Sequence, residues 1–558
     1  MADQQLELIP LGGLGEFGMN MMAMRCGDDI IVIDAGILFP GPDLHGVDVI
    51  VPDLSWLLDN ADHVRGLILT HGHEDHVGAV SYLLSQLHLP IYATQFTEAL
   101  VRRRLDEHQF DQKPDIRRMK FRQKFKLGCF TIDPIHVTHS TLDCAALAID
   151  TPLGVVMHTA DFKIDQTPIG SPLFDLHAFA EYGQKGVLLL LSDSTNVERP
   201  GFTPSERAVR PAFEDIFARA DKGIFLTCFS SAIPRVQQII DLSVQYGRKI
   251  ALIGRSLSSA SELAHELGLL RIPDGAFVRP QELHKLQPHQ RTVIVSGSQG
   301  EPLSSMARAS VGKHKHAVIE EGDKVVLSAR VIPGNEKAVY RMVDHLCKRG
   351  ADVFYGQQTP PLHVSGHGSQ EEMKLILNLV RPRYFVPVHG EYRQLASHAR
   401  LAAPLRDQGL KETFLLQSGE TLLIDEHGAR RGEDVEVGRV FIDAGTGDAI
   451  IEEMVINDRR SLSEFGVIVP IVTINRRTGK MVGEPEIVSR GFVVSEGGEE
   501  LIDEAYEIVA ETVRTSSKEE AADIGVMEEK IRTDLRRFLS RKTSRASRPL
   551  IAPVVLES

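Results

Sequence analysis

Short apolar runs, each closed by a polar residue and a tight turn, dominate the first third of the chain. Leu6-Glu-Leu-Ile, Ile30-Ile-Val-Ile-Asp34, Gly66-Leu-Ile-Leu-Thr70, Pro90-Ile-Tyr-Ala and Gly154-Val-Val-Met-His158 are the clearest. Near-continuous runs of this length predict buried strands rather than amphipathic helices. From about residue 208 the texture changes. A helix is predicted over Val209 to Ala220, a strand over Gly223-Ile-Phe-Leu-Thr227, a helix over Arg235 to Tyr246 and a strand over Lys249-Ile-Ala-Leu-Ile-Gly254. That alternation is the signature of a parallel α/β layer. Gly/His-rich loop character returns near residue 360. After Gly445-Thr-Gly447 a third segment begins, with strands near 466–474 and charged amphipathic helices near 499–515 and 525–540.

Composition sets limits. At 558 residues the chain holds more than one domain, and its 42% hydrophobic content is enough for real cores. A net charge of −14 excludes a generally basic nucleic-acid coat but not a local basic groove. Leu100 to Lys126 holds ten Lys/Arg against four Asp/Glu, either a solvated face or the flank of a polyanion path. The five cysteines are scattered without CxxC spacing and read as reduced thiols, neither a disulfide frame nor a thiolate zinc site. The N-terminus carries no secretory pattern and no run is long enough to span a bilayer, so a cytoplasmic enzyme without a membrane partner is expected.

The chemistry concentrates in His71-Gly-His73-Glu-Asp75-His76, directly after the predicted strand Gly66–Thr70. Neutral imidazoles suit zinc or manganese, and the carboxylate adds a harder oxygen and negative charge. A lone histidine there is more often an ordinary turn residue. Three imidazoles and two carboxylates in six residues at a strand's end are not. Other strand ends repeat the arrangement: Asp34, His139 on the face opposite His136, His158 with Asp161, and His389 before Gly390-Glu391. Asp34 suits an orienting role behind a ligand better than ligation itself.

This set, His71-x-His73-x-Asp75-His76 with Asp34, His139, Asp161 and His389, resembles the metallo-β-lactamase superfamily. The resemblance implies an αββα sandwich with a dinuclear site: His71, His73 and His139 on one metal, Asp75, His76 and His389 on the other, and Asp161 bridging. Ser192-Asp193-Ser-Thr-Asn-Val-Glu-Arg-Pro-Gly-Phe-Thr-Pro, His363-Val-Ser365-Gly366-His367 and Pro387-Val-His389-Gly390-Glu391 resemble the motifs of its β-CASP subfamily, which acts on nucleic acids. Leu11-Gly-Gly-Leu-Gly-Glu-Phe-Gly-Met-Asn20, Gly254-Arg-Ser256, Gly297-Ser-Gln-Gly-Glu-Pro302 and Ile332-Pro-Gly-Asn-Glu336 are similar to bacterial ribonuclease J, in order and spacing over nearly the whole chain.

The expected architecture is a metallo-β-lactamase domain (1–207 and 361–446), an inserted α/β β-CASP domain (208–360), and a linker with a small α+β C-terminal domain (447–558). The resemblance further implies two divalent ions, Zn2+ or Mn2+, and hydrolysis of RNA phosphodiesters from a 5′-monophosphate, 5′ to 3′, with some internal cleavage. Asp161, Asp193 and His367 would be catalytic, His367 as proton donor to the leaving oxygen. RNA would be touched by Ser231, Ala232 and Ile233 and by His363, Val364, Ser365, Gly366 and His367. Expected partners are single-stranded RNA, further copies of the chain in a homodimer or homotetramer, and RNA-decay proteins.

A structural cation near Asp48 and Asp443 is weighed against plain turn-capping. The chain departs from the family pattern at Leu142 (usually Pro), at Ala160 (usually Gly) and at Ala232, where relatives carry a polar residue; Pro234 lies in the same loop. Ala232 removes a polar contact to RNA while leaving every metal-type residue intact. A small-molecule hydrolase on this fold would have no use for an insert carrying Asp193 and His367. A non-catalytic scaffold would be expected to lose ligands.

Overall fold

The strand Asp29–Ile33 shows why the apolar runs are uninterrupted: its two faces serve different cores. Ile31 and Ile33 point into an inter-sheet core with Leu6, Leu8, Met24, Ile132, Leu147, Leu189 and Val386, while Ile30 and Val32 pack against Leu83 and Leu84 of an outer helix. In the second sheet, Ile135, Ala146 and Leu190 likewise face outward onto Phe179, Ile376 and Leu377. Helices on both outer faces of two stacked sheets give the expected αββα sandwich.

In this computed structural model the described residues are 5–41, 44–107, 114–301, 303–332, 334–443, 449–492, 498–521, 523–542 and 549–558. The turn Gly445-Thr-Gly447, Pro302, Pro333, Lys113 and residues 543–548 of the tail lie outside them. Residues cluster into two units, Met1–Phe39 with Ile50–Val440, and Pro40–Val49 with Phe441–Ser558.

In the first unit, one sheet runs Gly428–Arg431, Leu422–Asp425, Leu6–Gly12, Met21–Cys26, Asp29–Ile33, Val64–Ile68, Ile91–Ala93, Ile116–Arg118. The other runs Glu412–Thr413, Tyr384–Val388, Val187–Asp193, Gly154–His158, Cys144–Thr151, Phe130–Val137, Phe125–Leu127. The chain leaves this second sheet after Val187–Asp193 and re-enters it beside the same strand at Tyr384–Val388, parallel and with Asp193 opposite Val388. Between these points lies a five-stranded parallel sheet, in the order Lys249–Ile253, Arg291–Val295, Ile224–Thr227, Lys324–Leu327, Asp352–Phe354. The predicted helices here are Arg210–Arg219 and Ile233–Gln245.

The second unit has its own core. Val467–Ile474 pairs with Glu486–Arg490, Leu550–Ile551 and Val554–Glu557, and its alternate residues Ile468, Val472 and Ile474 meet Val509, Met527, Ile531 and Leu535. The last four lie on the helices Gly498–Thr515 and Ile524–Lys542, at helical spacing as the sequence predicts. Asp48 and Ile442 are tied by a backbone hydrogen bond, and Asp443 lies 3.9 Å from Arg459. Among the described residues, no group of three metal-type side chains includes Asp48 or Asp443. No helix among them is long and apolar enough to cross a membrane.

Candidate metal centre

Five strand ends converge on one point. Val64–Ile68 leads to His71, Phe130–Val137 to His139, Gly154–His158 to Asp161, Val187–Asp193 ends in Asp193, and Tyr384–Val388 leads to His389. Between His73 and Val77 the turn tightens into a short helix, Glu74–Val77, which carries Asp75 and His76. Asp161 Oδ2 is the hub. It lies 3.7 and 3.9 Å from Nε2 of His71 and His139, 3.3 and 3.4 Å from Nε2 of His76 and His389, and 4.0 Å from Nδ1 of His367. His73 Nδ1 is 3.1 and 3.2 Å from the Nε2 atoms of His71 and His139, and Asp75 Oδ2 is 3.4 Å from His389 Nε2.

The two sides of Asp161 differ electrostatically. Burial, then the neighbouring imidazoles, pushes His71 and His139 well below the usual imidazole range, and burial brings His73 to about 4. These three are neutral with their nitrogens pointing together, a donor set that fits a borderline divalent cation. On the other side burial opposes charge, but Asp161 and its neighbouring carboxylates outweigh it, holding His76 well above its usual range and His389 at about 9. Asp75 and Asp161 are correspondingly held low by His76 and His389 despite their burial. That side fits a cation that prefers mixed oxygen and nitrogen ligands.

Behind the cluster several rings are aimed by a second partner. His76 Nδ1 donates to Asp34 Oδ2 at 2.8 Å, and Asp34 also accepts from Thr70 N and Thr70 Oγ1. His139 Nδ1 donates to Gly366 O at 2.8 Å. A Cβ on Gly366 would stand 2.7 Å from His139 Cε1 and 2.7 Å from Ser140 Oγ, so the loop closes only with glycine. Asp193 is fully buried and serves two histidines: Oδ2 accepts from His367 Nδ1 at 2.8 Å, and Oδ1 accepts from Thr195 Oγ1, which in turn takes the proton of His389 Nδ1. Burial alone would depress His367, yet the Asp193 carboxylate raises it above its usual value. Such outer contacts fix tautomer and direction. Asp34, Ala160 and His389 all adopt left-handed backbone (φ 61°, 52° and 57°), local strain gathered at the site.

His71, His73, Asp75, His76, His139, Asp161 and His389 therefore all meet at this point. His158 is beside it but turned aside, accepting from Ala160 N. Ser365 Oγ accepts from Asn196 Nδ2 at 2.8 Å and holds the His363–His367 loop against the cluster. Val364 is buried, Ala232 is 8% exposed, and Ile233 is 1% exposed in the core of the inserted domain. In that loop Ser230 and Ser231 present half-open polar side chains. Within the basic run Arg102, Arg103, Arg104, Arg117, Arg118, Arg122 and Lys124 each face a carboxylate. Thr70, Thr195 and Asn196 had no role in the sequence reading. Thr195 and Asn196 follow Asp193 directly, and a polar triplet after a buried strand-end carboxylate is the signal that could have found them.

Family models match along the chain: a beta-lactamase superfamily domain over 31–181, the ribonuclease J beta-CASP domain over 221–346, a Zn-dependent metallo-hydrolase RNA specificity domain over 361–415, and the ribonuclease J C-terminal domain over 454–558. Ribonuclease J2 of Bacillus subtilis is 38% identical over 99% of this chain and 99% of its own length. The chain belongs to the ribonuclease J family. Ribonuclease J of Synechocystis is 40% identical over 88% of this chain and 76% of its own, and ribonuclease J 1 of Streptococcus pyogenes 38% over 99% and 98%. A protein of unknown function from Enterococcus faecalis shares the fold at a TM-score of 0.53 and 16% identity, covering 76% of this chain and 100% of its own.

Proposed function

We propose that this member of the ribonuclease J family, a metal-dependent hydrolytic ribonuclease, is a 5′-to-3′ exoribonuclease preferring 5′-monophosphorylated single-stranded RNA, with slower internal cleavage, in RNA maturation and decay. The observation that carries it is Asp161 Oδ2 lying between two sets of histidine Nε2 atoms, with His367 and its buried Asp193 partner alongside. His71, His73 and His139 would hold one divalent ion, Asp75, His76 and His389 a second, with Asp161 shared. Zinc and manganese both suit these donors. When bound, such ions supply Lewis-acid charge neutralisation and a water acidic enough to attack a phosphodiester at neutral pH.

The rest falls to the side chains. Asp34 and Thr195 hold His76 and His389 in direction. Asp193 keeps a proton on His367, which stands next to Asp161 and gives that proton to the leaving oxygen. The small residues Ser365 and Gly366 let backbone N–H groups approach the terminal phosphate, and Ser231 would add a hydroxyl to the same end of the strand. A pocket seating one phosphate leaves no room for two more, so a triphosphate end enters poorly and internal cuts remain. The C-terminal unit is assigned to assembly into a homodimer or homotetramer, and RNA-decay proteins remain expected partners.

A time course on RNA labelled at its 5′ end, carrying either a monophosphate or a triphosphate, tests this reading. Mononucleotide release is expected first and fastest from the monophosphate. Equal release from both ends would sink the pocket and leave an endonuclease.

A further inference from the structure

In this acidic chain the arginines of the run from Arg102 to Arg122 are each paired with a carboxylate. Arg199 and Arg330 are not. Both side chains are exposed, and among the described residues neither guanidinium has a hydrogen-bond, ion-pair or ring partner. They stand on loops that brace the His363–His367 segment. On one side, Arg199 N donates to Asn196 O at 2.9 Å and Arg199 O accepts from Gln370 N, while Asn196 Nδ2 donates to Ser365 Oγ and His367 O.

On the other, Arg330 follows the strand Lys324–Leu327 at the carboxyl edge of the inserted parallel sheet, the edge at which α/β folds bind ligands. Ser328 accepts there from Arg235 Nη1 through both its oxygens, and the same nitrogen lies 3.2 Å from His363 Nδ1. Buried Gln299 fixes the loop by donating to Arg330 O and accepting from Ile332 N. Partial enclosure, and then the like charge of Arg199, hold Arg330 below its usual range. Burial and Arg235 lead, with both of these arginines contributing, in keeping His363 neutral. Two guanidiniums sharing one neighbourhood without a counter-charge are complementary to an anion.

We propose that Arg199 and Arg330 form a two-armed clamp for a backbone phosphate of the RNA strand, distinct from the phosphodiester being cut. The clamp rests on the ribonuclease reading above. A guanidinium presents a planar fork that matches phosphate oxygens bidentately, and each further nucleotide of the strand brings one such group. This places a specificity contact on the insert and on the Asp193 loop at once, so a strand must reach past the metal centre to be gripped.

The test compares the full-length chain with the double variant Arg199→Ala/Arg330→Ala. Each is assayed for kcat and KM on 5′-monophosphorylated RNA. Each is also assayed, in a His367→Ala background whose cutting is slow beside the binding measurement, for affinity to oligonucleotides carrying one neutral methylphosphonate at successive positions. The expected result is a KM rise of about 10-fold or more that exceeds any fall in kcat, with the slope of log affinity against log salt reduced by about 0.7 for one lost phosphate contact. One methylphosphonate position should weaken binding to the parent and have no effect on the double variant. Identical position profiles and salt slopes in the two proteins overturn the clamp. If the parent binds RNA without cutting it, the ribonuclease reading fails, and the position profiles still decide the clamp.

Discussion

At the scale of single residues, one carboxylate oxygen organises the site. Asp161 Oδ2 touches both histidine sets, so removing a ligand on either side should disable the whole. Asp75→Ala or His76→Ala is expected to abolish RNA hydrolysis and lower bound metal, with little change in thermal midpoint, because the sandwich cores do not depend on the site. Full metal content with normal turnover in either variant would remove these residues from the centre.

His367→Ala makes the contrasting case. It should keep its metal yet lose roughly 100-fold or more in rate on RNA, the contribution expected of a general acid. The loss should shrink on a nitrophenyl phosphodiester, whose leaving group needs no proton. An equal loss on both substrates would assign His367 to positioning.

At the scale of elements, the strand-end loops carry the strain and the close approaches. Ala160 sits in left-handed backbone directly before Asp161. Ala160→Gly relieves a β-carbon penalty of about 1–2 kcal/mol and adds about 0.5–1 kcal/mol of chain entropy to lose. The net should be a small gain in stability with activity kept, read from denaturant midpoints. Gly366→Ala has the opposite sign: a Cβ in hard contact with His139 must displace a ring of the cluster, costing about 1–3 kcal/mol. Its signature should be lost metal affinity; unchanged metal binding would show that the loop yields elsewhere. Most of these elements were legible in the sequence, because a strand buried on both faces leaves an unbroken apolar run and a helix over a sheet leaves its own period. The contacts of Gly366 were not legible, since they are made to a residue 227 positions away.

At the scale of the whole first unit, a buried ionic knot links sandwich and insert. Arg235, at the start of the helix Ile233–Gln245, pairs with Glu206, and Lys163, just past Asp161, lies 3.9 Å from the same carboxylate. Arg235→Met would leave buried Glu206 with Lys163 alone, at 3.9 Å, and should cost up to about 3–5 kcal/mol, while adding Glu206→Gln should recover part of it. If the double variant proves no more stable than the single one, the knot is not the coupling. The ligand types, their order and their strand-end setting were determined by the sequence itself, because local polarity decides what a strand end carries, and its likeness to a family supplied their expected roles. The sequence also exposed the basic run from Leu100 to Lys126 and its local partners Glu98 and Asp115, but only folding brought Glu74, Asp150, Glu181 and Glu266 to it and left Arg199 and Arg330 unpaired. Charge along a chain is local. Which charges are neutralised depends on neighbours brought together across tens to hundreds of residues, and only the tertiary structure decides that.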